Sequence, residues 1–172
     1  YIGTKHAVGL NSCTAALHLS LAVNKFKRNK KVLVPSITFS ATAAAILYNN
    51  LIPIFVDTNK EDLNMSFGDL KKKYTKDCVA VIVVHFGGHP CEMDKILPWA
   101  KKRNLIVVED CAHTCGGVYK GKKLGNWGDF GCFSFEDKKV ITTGGDGGML
   151  CTNNKKNFLK NAIRRSSERR LN

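Results

Sequence analysis

Residues 79–108, VAVIVVHFGGHPCEMDKILPWAKKRNLIVV, decide how the whole chain is read. Two runs within it, Val79 to Val84 and Leu105 to Val108, are short, apolar throughout and rich in β-branched side chains. Those are the marks of strands covered on both faces. Between them Met93 to Asn104 has helical periodicity and starts beside Glu92 and Asp94, either of which can cap it. Strand, helix and strand in that order make a βαβ unit, which implies parallel strands in one sheet.

Outward from this unit the pattern repeats. Ala7 to Leu10, Lys31 to Val34, Ile52 to Val56, Gly131 to Phe135 and Gly148 to Cys151 read as further strands. Thr14 to Phe26 and Ser40 to Asn49 read as helices, capped by Ser12 or Thr14 and by Thr38 or Ser40. The fold class is therefore α/β, with no repeat, low-complexity tract or linker interrupting it. Gly116 to Gly128 and the four-glycine stretch Thr143 to Gly148 are expected loops. Ligands in open α/β sheets bind beyond the carboxyl ends of the strands, so these loops mark the working face.

Composition bounds the function. The chain has 172 residues, 44% of them hydrophobic, enough for one domain with a real core. It begins with Tyr1 and ends in the polar run Arg164, Arg165, Ser166, Ser167, Glu168, Arg169, Arg170, and is expected to be part of something larger. It has no apolar run of bilayer length, and its first residues lack the layout of a secretion signal. A soluble, cytoplasmic protein without a membrane partner is the expectation. The seven cysteines form no paired CxxC and sit in apolar segments, as free buried thiols in a reducing compartment do. Cys111, His113 and Cys115 lie close in sequence, but no second ligand pair has tetrahedral-site spacing, so no metal is expected. The net charge of +13 raises nucleic-acid binding as a possibility. The basic residues nevertheless fall in short clusters such as Lys71 to Lys73, Lys101 to Arg103 and Lys120 to Lys123, without interleaved aromatics, and read as solvated faces. The same charge would steer an anionic nucleotide substrate.

Three places carry candidate chemistry. The strand run that includes Val107 and Val108 continues into Glu109 and Asp110, a common site for a pocket carboxylate. Cys132 to Phe135 leads through Glu136, Asp137 and Lys138 to Lys139 and then to glycines, which suits a Schiff-base nucleophile approached closely by a ligand. Asn11 to Leu17 brings hydroxyls and free backbone N–H groups into a first helical turn, a natural anion seat. Singly, each has an ordinary structural explanation.

Together, and in order, the motifs Asn11–Leu17, Val34–Thr42, Pro53–Asp57, Val84–Gly88, Glu109–His113 and Phe133–Phe135 with Lys139 resemble the DegT/DnrJ/EryC1/StrS sugar aminotransferases. The resemblance runs over nearly the whole chain. It implies a fold-type I, aspartate-aminotransferase-like large domain over residues 1–172: three α/β/α layers around a mainly parallel mixed sheet. An N-terminal helix and a C-terminal small domain are expected to be missing. It implies pyridoxal 5′-phosphate (PLP) as cofactor, with Lys139 as the Schiff-base lysine and proton shuttle and Asp110 paired with the pyridine nitrogen. Phe39 matches the aromatic stacked on the ring and His113 the position beside its 3′-oxygen. Thr14, the Cys13 and Thr14 amides and Ser134 match the phosphate cradle.

The implied reaction is ping-pong transfer of an amino group from L-glutamate to a nucleotide-linked keto-deoxy sugar, for surface polysaccharide or amino-sugar biosynthesis, in a homodimer with shared active sites. Residues 139–149 are most similar to the subgroup around GDP-perosamine synthase, which aminates C4 of a 4-keto-6-deoxy sugar. Two departures stand out. Glu136, Asp137 and Lys138 replace the Pro-Thr pair many members have before the lysine, and Cys13 stands where Gly or Ala is frequent. Lys138 would be the nucleophile if the strand ended one residue early. A dehydratase on the same fold typically has histidine in place of the lysine, against Lys139 here. A regulatory relative would bind without catalysis, and a basic binding module would show salt-sensitive nucleic-acid affinity and no chromophore.

Overall fold

Val32 and Val34 pack into one apolar cluster and Leu33 into another; Ala80 and Ile82 likewise part from Val81 and Val83, and Val108 from Val107. This alternation is what a sheet with two buried faces requires. The computed structural model describes residues 1–158 and 160; the run Arg164 to Arg170 lies outside the described residues. In chain order its elements are β1 (His6–Leu10), α1 (Cys13–Ala22), β2 (Lys31–Pro35), α2 (Ser40–Tyr48), β3 (Ile52–Val56) and α3 (Phe67–Lys73). Then follow β4 (Cys78–Val84), α4 (Met93–Lys101), β5 (Ile106–Asp110), β6 (Val118–Tyr119), β7 (Lys122–Lys123), β8 (Phe130–Ser134) and β9 (Gly148–Thr152).

Seven strands make one sheet in the order β1-β9-β8-β5-β4-β2-β3. Neighbours are parallel except at β9, which runs against both β1 and β8. Helices α1 and α2 bury Ala16, Leu17, Ala45 and Ile46 on one face, while α3 and α4 bury Leu70, Met93, Ile96 and Trp99 on the other. The architecture is three-layered α/β/α with a mainly parallel mixed sheet. Edge strand β3 tolerates Pro53 because an edge residue can do without a ladder N–H.

The directions bring the ends of β4, β5 and β8 and the start of β9 to one rim. Asp110 pairs with Val84 and Cys132, and Gly148 pairs with both Ser134 and Leu10. Several boundaries differ from the sequence reading. Helix α1 stops at Ala22, short of Phe26, and Lys25 then turns left-handed (φ 52°); α4 stops at Lys101, short of Asn104, where φ is 54°. Strand β5 runs on through Glu109 to Asp110, so both acids are ladder residues. The expected loop Gly116–Gly128 contains the ribbon β6–β7. Helix α3, not expected, is capped by Ser66 and carries Lys71 to Lys73 as an exposed last turn. No helix of the described residues is long and apolar enough to cross a membrane.

Candidate active site

Helix α1 opens on the rim. Ser12 caps it, its hydroxyl accepting from Ala15 N–H at 3.2 Å, and no acidic residue stands in the first turn. The first N–H groups of a helix have no intrahelical acceptor, so the Cys13 and Thr14 amides and an uncompensated helix dipole form a positive seat. Gly148 makes this possible. A Cβ there would lie 2.2 Å from the Ser12 carbonyl carbon and 2.7 Å from Cys13 N, so only glycine lets β9 pass so close to the helix start.

Asp110 faces this seat from the end of β5 and is 4% exposed. Its donors are neutral: Ala112 N–H to Oδ1 at 3.1 Å, Thr42 Oγ1–H to Oδ2 at 2.9 Å and Cys13 Sγ–H to Oδ1 at 3.8 Å. Burial pushes the carboxyl above its ordinary value, while the Ala112 and Thr42 bonds pull it back. Burial and the neighbouring Asp110 push the Cys13 thiol well up, so it keeps its proton and can donate. His113, just past β5, has a fixed ring: Gly87 N–H donates to Nδ1 at 3.2 Å, and Phe86 lies edge-on with centroids 5.6 Å apart. Because Nδ1 accepts, the proton of the neutral ring sits on Nε2. The turn that supplies this N–H needs a left-handed residue, and Gly87 (φ 58°) provides it.

These groups line a cavity of about 530 Å³. All seven residues singled out from the sequence border it: Cys13, Thr14, Phe39, Asp110, His113, Ser134 and Lys139. Phe39, at the start of α2, is 74% exposed and so belongs to no core. Lys138 and Lys139 both border the cavity, but Lys139 is half-buried and Lys138 exposed. Thr38 and Thr42 also line it; sequence reasoning gave Thr38 only a capping role, which falls instead to Phe39 with no side-chain cap bond, and gave Thr42 none. Their spacing of four across a helix start was the available signal. What such a cavity fits is a flat ring carrying a basic nitrogen and an anionic group: among the described residues it offers a buried carboxylate with no cation in a salt bridge to it, a helix start with no acidic residue in its first turn and an aromatic with no ring stacked on it.

Glu109, next to Asp110, turns to the other side of the sheet. Its Oε1 accepts from Trp127 N–H and Gly128 N–H, both at 2.7 Å; its Oε2 accepts from Gly125 N–H at 2.8 Å and His85 Nε2–H at 3.1 Å. Cys91 N–H donates to His85 Nδ1 at 3.1 Å, which puts the ring proton on Nε2. With Cys111 these side chains form a buried trio within 4.8 Å, but both ring nitrogens and both carboxylate oxygens are already hydrogen-bonded, so the trio reads as structural. The seven cysteines are free thiols, six of them buried.

The model of the DegT/DnrJ/EryC1/StrS aminotransferase family matches residues 1–167. Uncharacterized protein MJ1066 of Methanocaldococcus jannaschii is 47% identical over 154 residues, which cover 90% of this chain and 40% of that protein. GDP-perosamine synthase of Escherichia coli O157:H7 is 44% identical over 151 residues, 88% of this chain and 41% of the enzyme. The X-ray structure of the aminotransferase from Psychrobacter cryohalolentis superposes with a TM-score of 0.91 at 33% identity, covering 94% of this chain and 41% of that one. The chain thus spans about 40% of the length of the curated relatives it matches.

Proposed function

Because this chain belongs to the DegT/DnrJ/EryC1/StrS aminotransferase family, whose members depend on PLP, we propose that it moves an amino group from L-glutamate to a nucleotide-linked keto-deoxy sugar. The observation that carries this is the convergence of a buried Asp110, an unpaired helix start, an exposed Phe39 and a half-buried Lys139 on one cavity. A GDP-linked sugar is favoured by the name of the E. coli relative. The likeness of residues 139–149 to that subgroup favours C4 of a 4-keto-6-deoxy sugar as the aminated position.

Bound in the cavity, PLP supplies an amine-accepting carbonyl conjugated to an electron-withdrawing ring. The chain's own residues do the rest. The Lys139 amine would be the nucleophile that holds the cofactor and would carry a proton to and from the reacting carbon. Asp110 keeps a proton on the ring nitrogen, since an anion in a desolvated site strongly favours the adjacent cation. Phe39 would stack on one ring face, and His113 Nε2–H would donate to the ring oxygen. The Cys13 and Thr14 amides, with the Thr14 and Ser134 hydroxyls, hold the phosphate. A cytoplasmic homodimer is part of the reading: Phe39, Leu47, Tyr48 and Phe55 are large apolar side chains left exposed around α2 and β3, as a second copy would cover.

Borohydride reduction of the PLP-loaded intact protein, followed by peptide mass mapping, tests the reading. A phosphopyridoxyl mass on Lys139 is expected. A mass on Lys138 would shift the assignment by one residue, and no adduct on either lysine would refute it.

A further inference from the structure

Thr42 is fully buried in the first turn of α2, and its one hydroxyl proton goes to Asp110 Oδ2. With that proton committed, the 2.8 Å contact between the two threonine hydroxyls requires Thr38 to donate to Thr42. A directed chain therefore runs from the cavity wall through Thr38 and Thr42 to Asp110. The same turn sets Phe39, whose carbonyl accepts from Thr42 N–H at 3.0 Å. A carboxylate held only at Oδ1 could turn about its last side-chain bond; the bond to Oδ2 stops that rotation.

We propose that Thr42, backed by Thr38, is a positioning residue that aims the Asp110 carboxylate at the ring nitrogen of the cofactor and holds it ionised; this rests on the PLP reading above. Among the described residues, the other titratable groups around Asp110 are Cys13 from α1, Cys132 from β8, Cys111 and His113 beyond β5, His85 just past β4 and Lys139 from the cavity rim; Cys111, like Cys13 and Cys132, is a buried thiol pushed up in pKa. Cys13 reaches Oδ1, so at Oδ2 the recorded donor among the described residues is Thr42. Cys13 and Cys132 are buried thiols held in the protonated form, which leaves them neutral across the working range.

The sign of the effect follows. A hydrogen bond to the ionised form lowers a carboxyl pKa, so removing it makes Asp110 retain its proton to higher pH. PLP binds best when Asp110 is the anion and the ring nitrogen holds the proton, so the acid-side loss of affinity moves up the pH scale. The experiment measures the PLP dissociation constant from its visible absorbance, between pH 5 and 8, in the intact protein, T42V and T42S. A hydrogen bond to a charged group corresponds to a change of about 10-fold or more, so T42V should bind at least about 10-fold more weakly and its acid limb should rise by about one pH unit or more. T42S, which keeps the hydroxyl, should restore both. If T42V does not fold, T38V replaces it and must move the limb in the same direction by a smaller amount. An unmoved limb in the hydroxyl-deleted variant, or T42S as impaired as T42V, overturns the proposal while the unsubstituted protein still shows its chromophore. A missing chromophore in the unsubstituted protein would overturn the cofactor reading as well.

Discussion

Glu109→Gln is the most informative substitution outside the cavity, because its consequence can be worked from geometry. Four donors converge on the two Glu109 oxygens: the N–H groups of Gly125, Trp127 and Gly128, and His85 Nε2–H. None can be turned into an acceptor. Three are backbone, and the His85 tautomer is locked by the bond that Cys91 N–H makes to Nδ1. Glutamine offers one oxygen and one NH2, so in either orientation two buried donors face a third donor. A buried donor left unsatisfied costs about 1–3 kcal/mol, so the pair costs about 4 kcal/mol. The loss falls on the loop Gly125–Gly128, and about 4 kcal/mol corresponds to roughly a 10³-fold rise in local opening. Hydrogen exchange followed by mass spectrometry on the intact protein reads this directly, in peptides covering residues 124–128. Exchange there should accelerate by up to that factor while peptides in β4 change little. Protection within about threefold of the parent would refute the reasoning, since an energetic effect below about 1 kcal/mol means that other contacts hold the loop.

Lys139→Ala should abolish the visible chromophore and lower transamination by at least about 10²-fold, whereas Lys138→Ala should leave the chromophore in place; absorbance spectra of both variants decide it. Gly148→Ala forces β9 away from the Ser12 backbone, an overpacking strain of about 1–3 kcal/mol at the phosphate seat, and should weaken PLP binding by roughly tenfold or more in a titration. Asp110→Asn tests the sign of the burial effect. Burial raises the folded-state carboxyl pKa, so the folded protein without cofactor holds that proton more tightly than the unfolded chain, and stability falls as pH rises from about 3.9 through the raised value. Thermal melts of the cofactor-free protein should lose that part of their pH slope in the Asn variant, although PLP affinity drops; an unchanged slope counts against the buried, unpaired carboxylate. Asp94 provides the opposite sign: Lys120 and Tyr119 pull its carboxyl down to about 2, so the stability it contributes is present above the unfolded value and lost as pH falls toward 2. Asp94→Asn should remove the part of the acid melting slope between pH 4 and 2, and an unaltered slope would show that the pair is not maintained in solution.

The central strands were legible because both alternating sets of their side chains are apolar, so no other element could bury them. The helix ends were less so. Asn24 to Phe26 and Lys102 to Asn104 continue plausible helical sequences, and only the left-handed Lys25 and Asn104 reveal where the chain turns back toward the sheet. Helix α3 was missed because FGDLKKK reads as a solvated charge run, and the burial of Leu70 that anchors it comes only with the tertiary packing of α3 against β3. The seven cavity residues were found through the order of their motifs. Thr42 was not, since its partner Asp110 is 68 residues distant. Glu109 and Asp110 look alike in sequence, and the pleat sends one to the loop behind the sheet and the other to the cavity.

The reversed direction of β9 has a kinetic meaning. A parallel return from β8 would have needed a crossover carrying the chain to the far rim and back. Instead the segment bearing Lys139 leaves the rim at Ser134 and rejoins it at Gly148, which are paired in the ladder. Its base is clasped by Phe135 N–H to Gly147 O at 2.8 Å and Thr143 N–H to Phe135 O at 3.2 Å. The amine is thus tethered at both ends, and short tethers impose effective concentrations on the order of millimolar or above. With Lys139 as the proposed cofactor lysine, recapture of a released carbonyl partner would be an intramolecular event whose rate is set by loop length and stiffness rather than by diffusion from bulk. Insertions between residues 136 and 146 should therefore act as a dial on recapture, lowering it gradually with added length while leaving the sheet intact.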